Sequence, residues 1–149
     1  LGVRVAERAP AVLRGAVDAI QAGTAALVPQ SRENVSYCSV ISKSDGLIDW
    51  HAGAPEIERM VRAFHPWPTA HTDWNGQQLS ILAATVAARS ESAEPGKVVG
   101  LDKRAGILIQ TGDGILTVQR LQLQSKMALD FKSFWNGVRD FEGAVLGTA

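Results

Sequence analysis

The chain has one cysteine, Cys38, so it has no internal disulfide, and single-thiol usage is compatible with a reducing compartment. It has no charge excess: 15 basic residues stand against 15 acidic ones, whereas a domain that binds nucleic acid over its whole surface is usually clearly basic. Any such binding must come from a local patch. No apolar run approaches membrane-spanning length. There is no internal repeat and no low-complexity tract, and Leu1 to Arg8 lacks the pattern of a signal peptide. The first residue is not methionine, which is compatible with a piece of a longer protein. The three histidines and Cys38 match no zinc spacing, so no metal site is expected.

What is present is the material of one globular domain: 149 residues, 46% hydrophobic, mean hydropathy +0.01. The chain changes period along its length. Pro10 to Ala22 reads as a helix with Pro10 in its first turn, Val12, Leu13, Ala16, Ala19 and Ile20 on one stripe, and Gly23 as the stop. Thr24 to Asn34 is a polar connector, and Ser36 to Ile41 has a weak strand signal in which Cys38 is expected as a buried thiol. Ser44-Asp45-Gly46 is a turn. A helix from about Pro55 to Phe64 carries Ile57, Met60, Val61 and Phe64 on one face.

Beyond it the period becomes strand-like. Asn75-Gly76 joins Thr72–Trp74 to Gln78–Ala87, because a type I′ turn needs positive φ at both central residues. Ser90 to Gly96 is a polar loop. Val98-Val99 opens a strand, Lys103 to Gly106 turns it, and Ile107–Gln110 and Ile115–Leu123 flank Thr111-Gly112-Asp113-Gly114. Gly112 and Gly114 lack the strand–loop–helix setting of a phosphate loop and belong to a turn. Asp130 is placed to cap a short helix ending at Gly137, and the glycine-rich tail from Phe141 is expected to fray. This order of elements fits a mainly β fold with flanking helices: a small, partly open Greek-key, OB-like barrel after a linker and an N-terminal helix.

Pro66 and Pro68 fix φ on either side of Trp67, which reads as an anchor at a helix-to-strand corner. Trp50 is expected in the core, and Trp74, beside the tight turn, at the surface. Asp49 either pairs with Arg62 or caps the turn into the second helix. Between Arg89 and Arg139 eight basic residues face five acidic ones, a mild positive lean.

Taken jointly, several segments resemble the C-terminal domain of the methionyl-tRNA formyltransferase family. They are Val28-Pro29-Gln30, Tyr37 to Trp50 with its Asp45-Gly46-Leu47-Ile48-Asp49-Trp50, Arg62-Ala63-Phe64-His65-Pro66-Trp67-Pro68, Thr111 to Gly114, and Leu121-Gln122, Lys126 and Phe134 to Gly137. The resemblance runs in order from about residue 10 to 145. The family has Asn at His65, commonly a basic residue at Val40, and a second lysine at Met127; each departure removes polarity or charge.

The resemblance implies a division at residues 1–23, the last helical part of a catalytic domain; 24–36, a linker; and 37–149, the barrel. It implies an enzyme that moves a formyl group from 10-formyltetrahydrofolate to methionine on initiator tRNA in the cytoplasm. The Asn, His and Asp motifs of that catalytic domain are not in these residues, so the chain is expected to be inactive alone, with no catalytic residue and no cofactor of its own. Its share is to hold the tRNA acceptor arm and to contact its own catalytic domain; a monomer away from membranes is the default. The candidate phosphate contacts are Lys43 and Lys126, which match family positions, then Lys97, Lys103, Arg104, Arg120, Lys132 and Arg139. Asp49, Trp50, Arg62, Pro66 and Trp67 are structural motif residues. Rival readings are a sugar-nucleotide formyltransferase, a 10-formyltetrahydrofolate hydrolase module, or a free-standing interaction module.

Overall fold

The computed structural model describes residues 2–87 and 93–147, so the first three residues of the expected loop Ser90 to Gly96 lie outside the described residues. Two compact units divide between Ser39 and Val40.

The first unit holds α1, Gly2–Gln21, and a connector. The residues before Pro10 are helical too, and α1 runs through Pro10 as one helix instead of starting there. A proline inside a helix removes one backbone donor, and the alanines and arginines on its N-terminal side are strong enough helix formers to continue past that loss. Gly23, at φ 68, ends the helix as its sequence indicates, with Thr24 N–H bonding the Ala19 carbonyl at 2.9 Å. The expected strand at Ser36–Ile41 does not form: no ladder partner meets it among the described residues. Tyr37 is 96% exposed and Cys38 is exposed, not buried.

In the second unit a 3-10 turn, Ser44–Gly46, leads to α2, Ala54–Ala63. Then come β1 His71–Trp74, β2 Gln77–Val86, β3 Val98–Asp102, β4 Gly106–Gln110, β5 Ile115–Leu123, β6 Leu129–Asp130 and α3 Phe131–Gly137. The strands pair antiparallel in the order β1-β2-β5-β4-β3, with β6 beside β5. Asn75 and Gly76 both have positive φ, 52° and 71°, as the β1–β2 turn requires. Register breaks between Ile81 and Ala84 bend β2 along β5. The result is a mainly antiparallel half-barrel with flanking helices, as the sequence implies. Leu79, Ile81, Ile107, Ile109, Leu116, Val118 and Leu121 fill it, and α2 adds Ile57 and Val61.

The tail does not fray. Ala144 and Leu146 bond Val98 and Gly96 at the β3 side, at 2.8 and 2.9 Å, and Gly147 N–H reaches the Asp73 carbonyl on β1 at 2.9 Å. The tail thus ties the two open edges of the sheet. Phe141 and Leu146 are buried beneath it. Trp74 is half-buried rather than exposed, because Phe141 and Phe134 pack on it with ring centroids 4.9 and 6.3 Å away.

Two segments that are distant in sequence, 50–54 and 111–114, interlock next to the tail, which packs on Trp50. Gly112 N–H bonds the Trp50 carbonyl at 2.8 Å, and Ala54 N–H bonds the Asp113 carbonyl at 2.9 Å. Trp50 is buried, as expected, and its Nε1 donates to Thr72 Oγ1 at 3.0 Å. Asp49 caps the turn into α2 by accepting from His51 N–H at 2.9 Å. The alternative Asp49–Arg62 pair does not form. Arg62 instead forks onto Glu58 one helical turn earlier, at 2.6 and 3.1 Å, and that neighbour raises the guanidinium pKa above its ordinary value.

Candidate nucleic-acid interface

Helix α3 carries one of the eight candidate cations, Lys132. Asp130 caps it as its sequence indicates, accepting from Lys132 N–H at 2.9 Å, Ser133 N–H at 3.1 Å and Ser133 Oγ at 2.8 Å. These bonds from Ser133, backbone first, hold the Asp130 carboxyl below its ordinary pKa. The folded value is depressed, so the cap contributes stability above the ordinary carboxylate range and loses it as pH falls through the folded value. Asp130→Ala is expected to lower Tm at pH 7. The gap to the parent chain should narrow below about pH 4 in a pH series of thermal melts.

Helix α3 brings Lys132 to the β3–β4 turn. There Lys103 and Lys132, with Leu101 and Asn136, line one open cavity of about 300 Å³. Arg104 follows Lys103 in the turn, whose backbone is fixed by Asp102 Oδ1 accepting from Arg104 and Ala105 N–H at 2.8 and 2.9 Å. Lys103, Arg104 and Lys132 are exposed, and Lys132 Nζ lies 5.6 Å from the Phe131 ring. Arg139 is exposed just past the end of α3.

The other candidates are placed separately. Lys126 borders an apolar groove with Leu123, Met127, Leu129 and Val138, in a loop held by Gln122 Nε2 bonding the Lys126 carbonyl at 2.8 Å. Arg120 is exposed on β5 opposite Asp130 of β6. Lys97 is half-buried where it bridges Val145 of the tail. Lys43 is exposed in front of the 3-10 turn and is not part of the α3 cluster's lining. Asn136 escaped the sequence reading; its place in Phe134 to Gly137, one turn of helix after Lys132, was the available signal.

Trp67 does not anchor the corner in the core: it is 56% exposed, between two cis prolines, Pro66 and Pro68. Among the described residues no group of three or more His, Cys, Asp or Glu side chains is placed to hold a metal. No described helix is long and apolar enough to cross a membrane.

Residues 40–139, which include the barrel, α3 and all eight of these cations, match the family described as formyl transferase, C-terminal domain. The chain belongs to that family. A methionyl-tRNA formyltransferase of Treponema denticola is 46% identical over 118 residues, covering 76% of this chain and 37% of the relative. One from Pseudomonas fluorescens Pf0-1 is 38% identical over 148 residues, covering 98% of this chain and 46% of the relative. The chain therefore spans less than half the length of these curated relatives. Among solved structures, a variant of HypX from Aquifex aeolicus superposes with a TM-score of 0.59 at 19% identity, over 85% of this chain and 23% of that one. At that identity the likeness concerns the fold alone. In this formyl transferase C-terminal domain, Lys103 and Lys132 are the candidate cations that line one cavity together, with exposed Arg104 and Arg139 following them in sequence.

Proposed function

We propose that this formyl transferase C-terminal domain is the tRNA-holding part of a cytoplasmic, monomeric methionyl-tRNA formyltransferase that acts in translation initiation. The whole enzyme transfers a formyl group from 10-formyltetrahydrofolate to the amino group of methionine on initiator tRNA. The formyl donor is handled by a catalytic domain whose final helix corresponds to residues 1–23. Residues 24–36 set its distance from the barrel, 37–149, and the present chain has no transfer activity alone. The similar proteins bearing the methionyl-tRNA formyltransferase name support the substrate.

The observation that carries the reading is the convergence of Lys103 and Lys132, from two different elements, on one open cavity, with Arg104 beside them. Two ammonium groups on a rigid turn and a capped helix suit a phosphate backbone, where charge fixes register without reading sequence. A double-stranded acceptor arm is recognised mostly by shape and backbone in this way.

Lys103→Ala and Lys132→Ala are each expected to weaken initiator tRNA binding and to reduce the slope of log affinity against log salt by about one. Filter binding of the 149-residue chain over a salt series measures both. Variants that bind with the parental slope would remove the cavity from the interface.

A further inference from the structure

Trp67 presents an indole to solvent, whereas Trp50 is buried and Trp74 and Trp135 are half-buried. The loop beneath Trp67 is held in place. Pro66 and Pro68 fix φ on both sides of it. Thr69, at φ 72, donates its N–H to the Phe64 carbonyl at 2.9 Å and its hydroxyl to the Pro66 carbonyl at 2.7 Å. His71 Nδ1 lies 3.0 Å from the Thr69 carbonyl oxygen.

The turn that Lys43 opens is packed on this same segment. Ile48 N–H bonds the His71 carbonyl at 2.8 Å. Gly46 sits so close that a Cβ there would come 2.5 Å from the Thr69 carbonyl oxygen and 2.9 Å from His71 Nδ1. Arg59 to Thr72 contains no carboxylate. The nearby acids are engaged: Glu58 with Arg62, and Asp45 with Ser42 N–H and Oγ at 2.6 and 3.0 Å. An exposed indole on a loop whose backbone is held, with the turn that Lys43 opens packed on the same segment at Thr69 and His71, suits one unpaired nucleotide, with the base on the ring and its phosphate at the cation. A duplex offers such a ring no base face except at its end.

We propose that Trp67 and Lys43 form a stacking platform for an unpaired nucleotide of the bound tRNA. The platform rests on the tRNA-holding reading above and adds a second contact, separate from the α3 cluster. Stacking releases no counterions, so its loss lowers affinity without changing salt dependence, whereas loss of Lys43 changes both.

The test compares the parent chain with Trp67→Ala, Trp67→Leu, Trp67→Phe and Lys43→Ala, each checked by thermal melting. Trp67→Ala and Trp67→Leu are expected to weaken initiator tRNA binding about tenfold at unchanged salt slope. Trp67→Phe should keep most of the affinity, and Lys43→Ala should reduce the slope by about one. A short oligoadenylate should quench parental indole emission but not that of Trp67→Phe, and a blunt RNA duplex should quench neither. Parental tRNA affinity in Trp67→Leu would overturn the platform and assign the ring to a protein contact, while leaving the tRNA reading intact. If the parent chain does not bind tRNA, the tRNA reading falls; binding without salt dependence would remove only the phosphate contacts. Without tRNA binding the platform stands or falls on oligoadenylate quenching alone.

Discussion

Phe141→Ala is expected to destabilise the half-barrel by about 3–5 kcal/mol, the usual cost of truncating a buried phenylalanine. Phe141 is 2% exposed and is the hub of an aromatic cluster: Trp74, Phe134 and Trp135 meet it edge-on at 4.9, 5.0 and 6.2 Å between centroids. Edge-on pairs add about 0.5–1.5 kcal/mol beyond the area buried, so the upper part of the range is expected. Ending the chain after Asp140 should do more. It also removes Leu146 from the core and the tail's bonds to Val98, Gly96 and Asp73, leaving β1 and β3 as open edges. Total stabilities of about 5–15 kcal/mol are typical, so the shortened chain should be largely unfolded at room temperature. Urea unfolding followed by tryptophan emission measures both. A shortened chain that melts within a few degrees of the parent would show that the tail is dispensable.

Gly112→Ala is expected to be nearly as damaging, for a different reason. A Cβ at residue 112 would fall within the His51 carbonyl group, and 3.1 Å from His51 Cα. Backbone cannot rotate aside as a side chain can, so the loop 111–114 must separate from residues 50–54. The bonds from Gly112 N–H to the Trp50 and Ala52 carbonyls, and from Ala54 N–H to the Asp113 carbonyl, then break. Overpacking alone costs about 1–3 kcal/mol, and each lost bond adds about 1 kcal/mol. Gly137→Ala supplies the control: nothing lies within 4 Å of its added Cβ, and a helical alanine is favoured over glycine. It should leave Tm unchanged or raise it, while Gly112→Ala lowers it sharply. Equal effects of the two substitutions would contradict the interlock.

These two sites also mark where the sequence was readable and where it was not. Local chemistry announced the Asn75-Gly76 turn, the Asp130 cap and the Gly23 stop, because each depends on the dihedral or hydrogen-bonding habit of a residue or two. The hairpins β1–β2, β3–β4 and β4–β5 followed from alternation and turn spacing, whereas the β2–β5 pairing that joins them did not. The burial of Phe141 and Leu146 did not, since a glycine-rich tail becomes ordered only when it meets two strand edges that no local pattern reveals. Trp74 was misplaced for the same reason: its cover comes from α3 and the tail. Cys38 looked buried only because its neighbours are apolar, and no strand receives them. The Arg62 partner, in contrast, was legible, since Glu58 stands four residues before it on the same helix. The candidate cations were all named from sequence. That Lys103 and Lys132 share a cavity required the fold, which brings the β3–β4 turn to α3.

The measurement that tests the central claim most directly is the affinity of this chain for initiator tRNA over a range of salt concentrations. The account predicts binding whose log affinity falls linearly with log salt, by about 0.7–0.9 per phosphate neutralised, with a smaller slope in Lys103→Ala and Lys132→Ala. Binding that is flat across the salt series, or no binding at low salt, would contradict it.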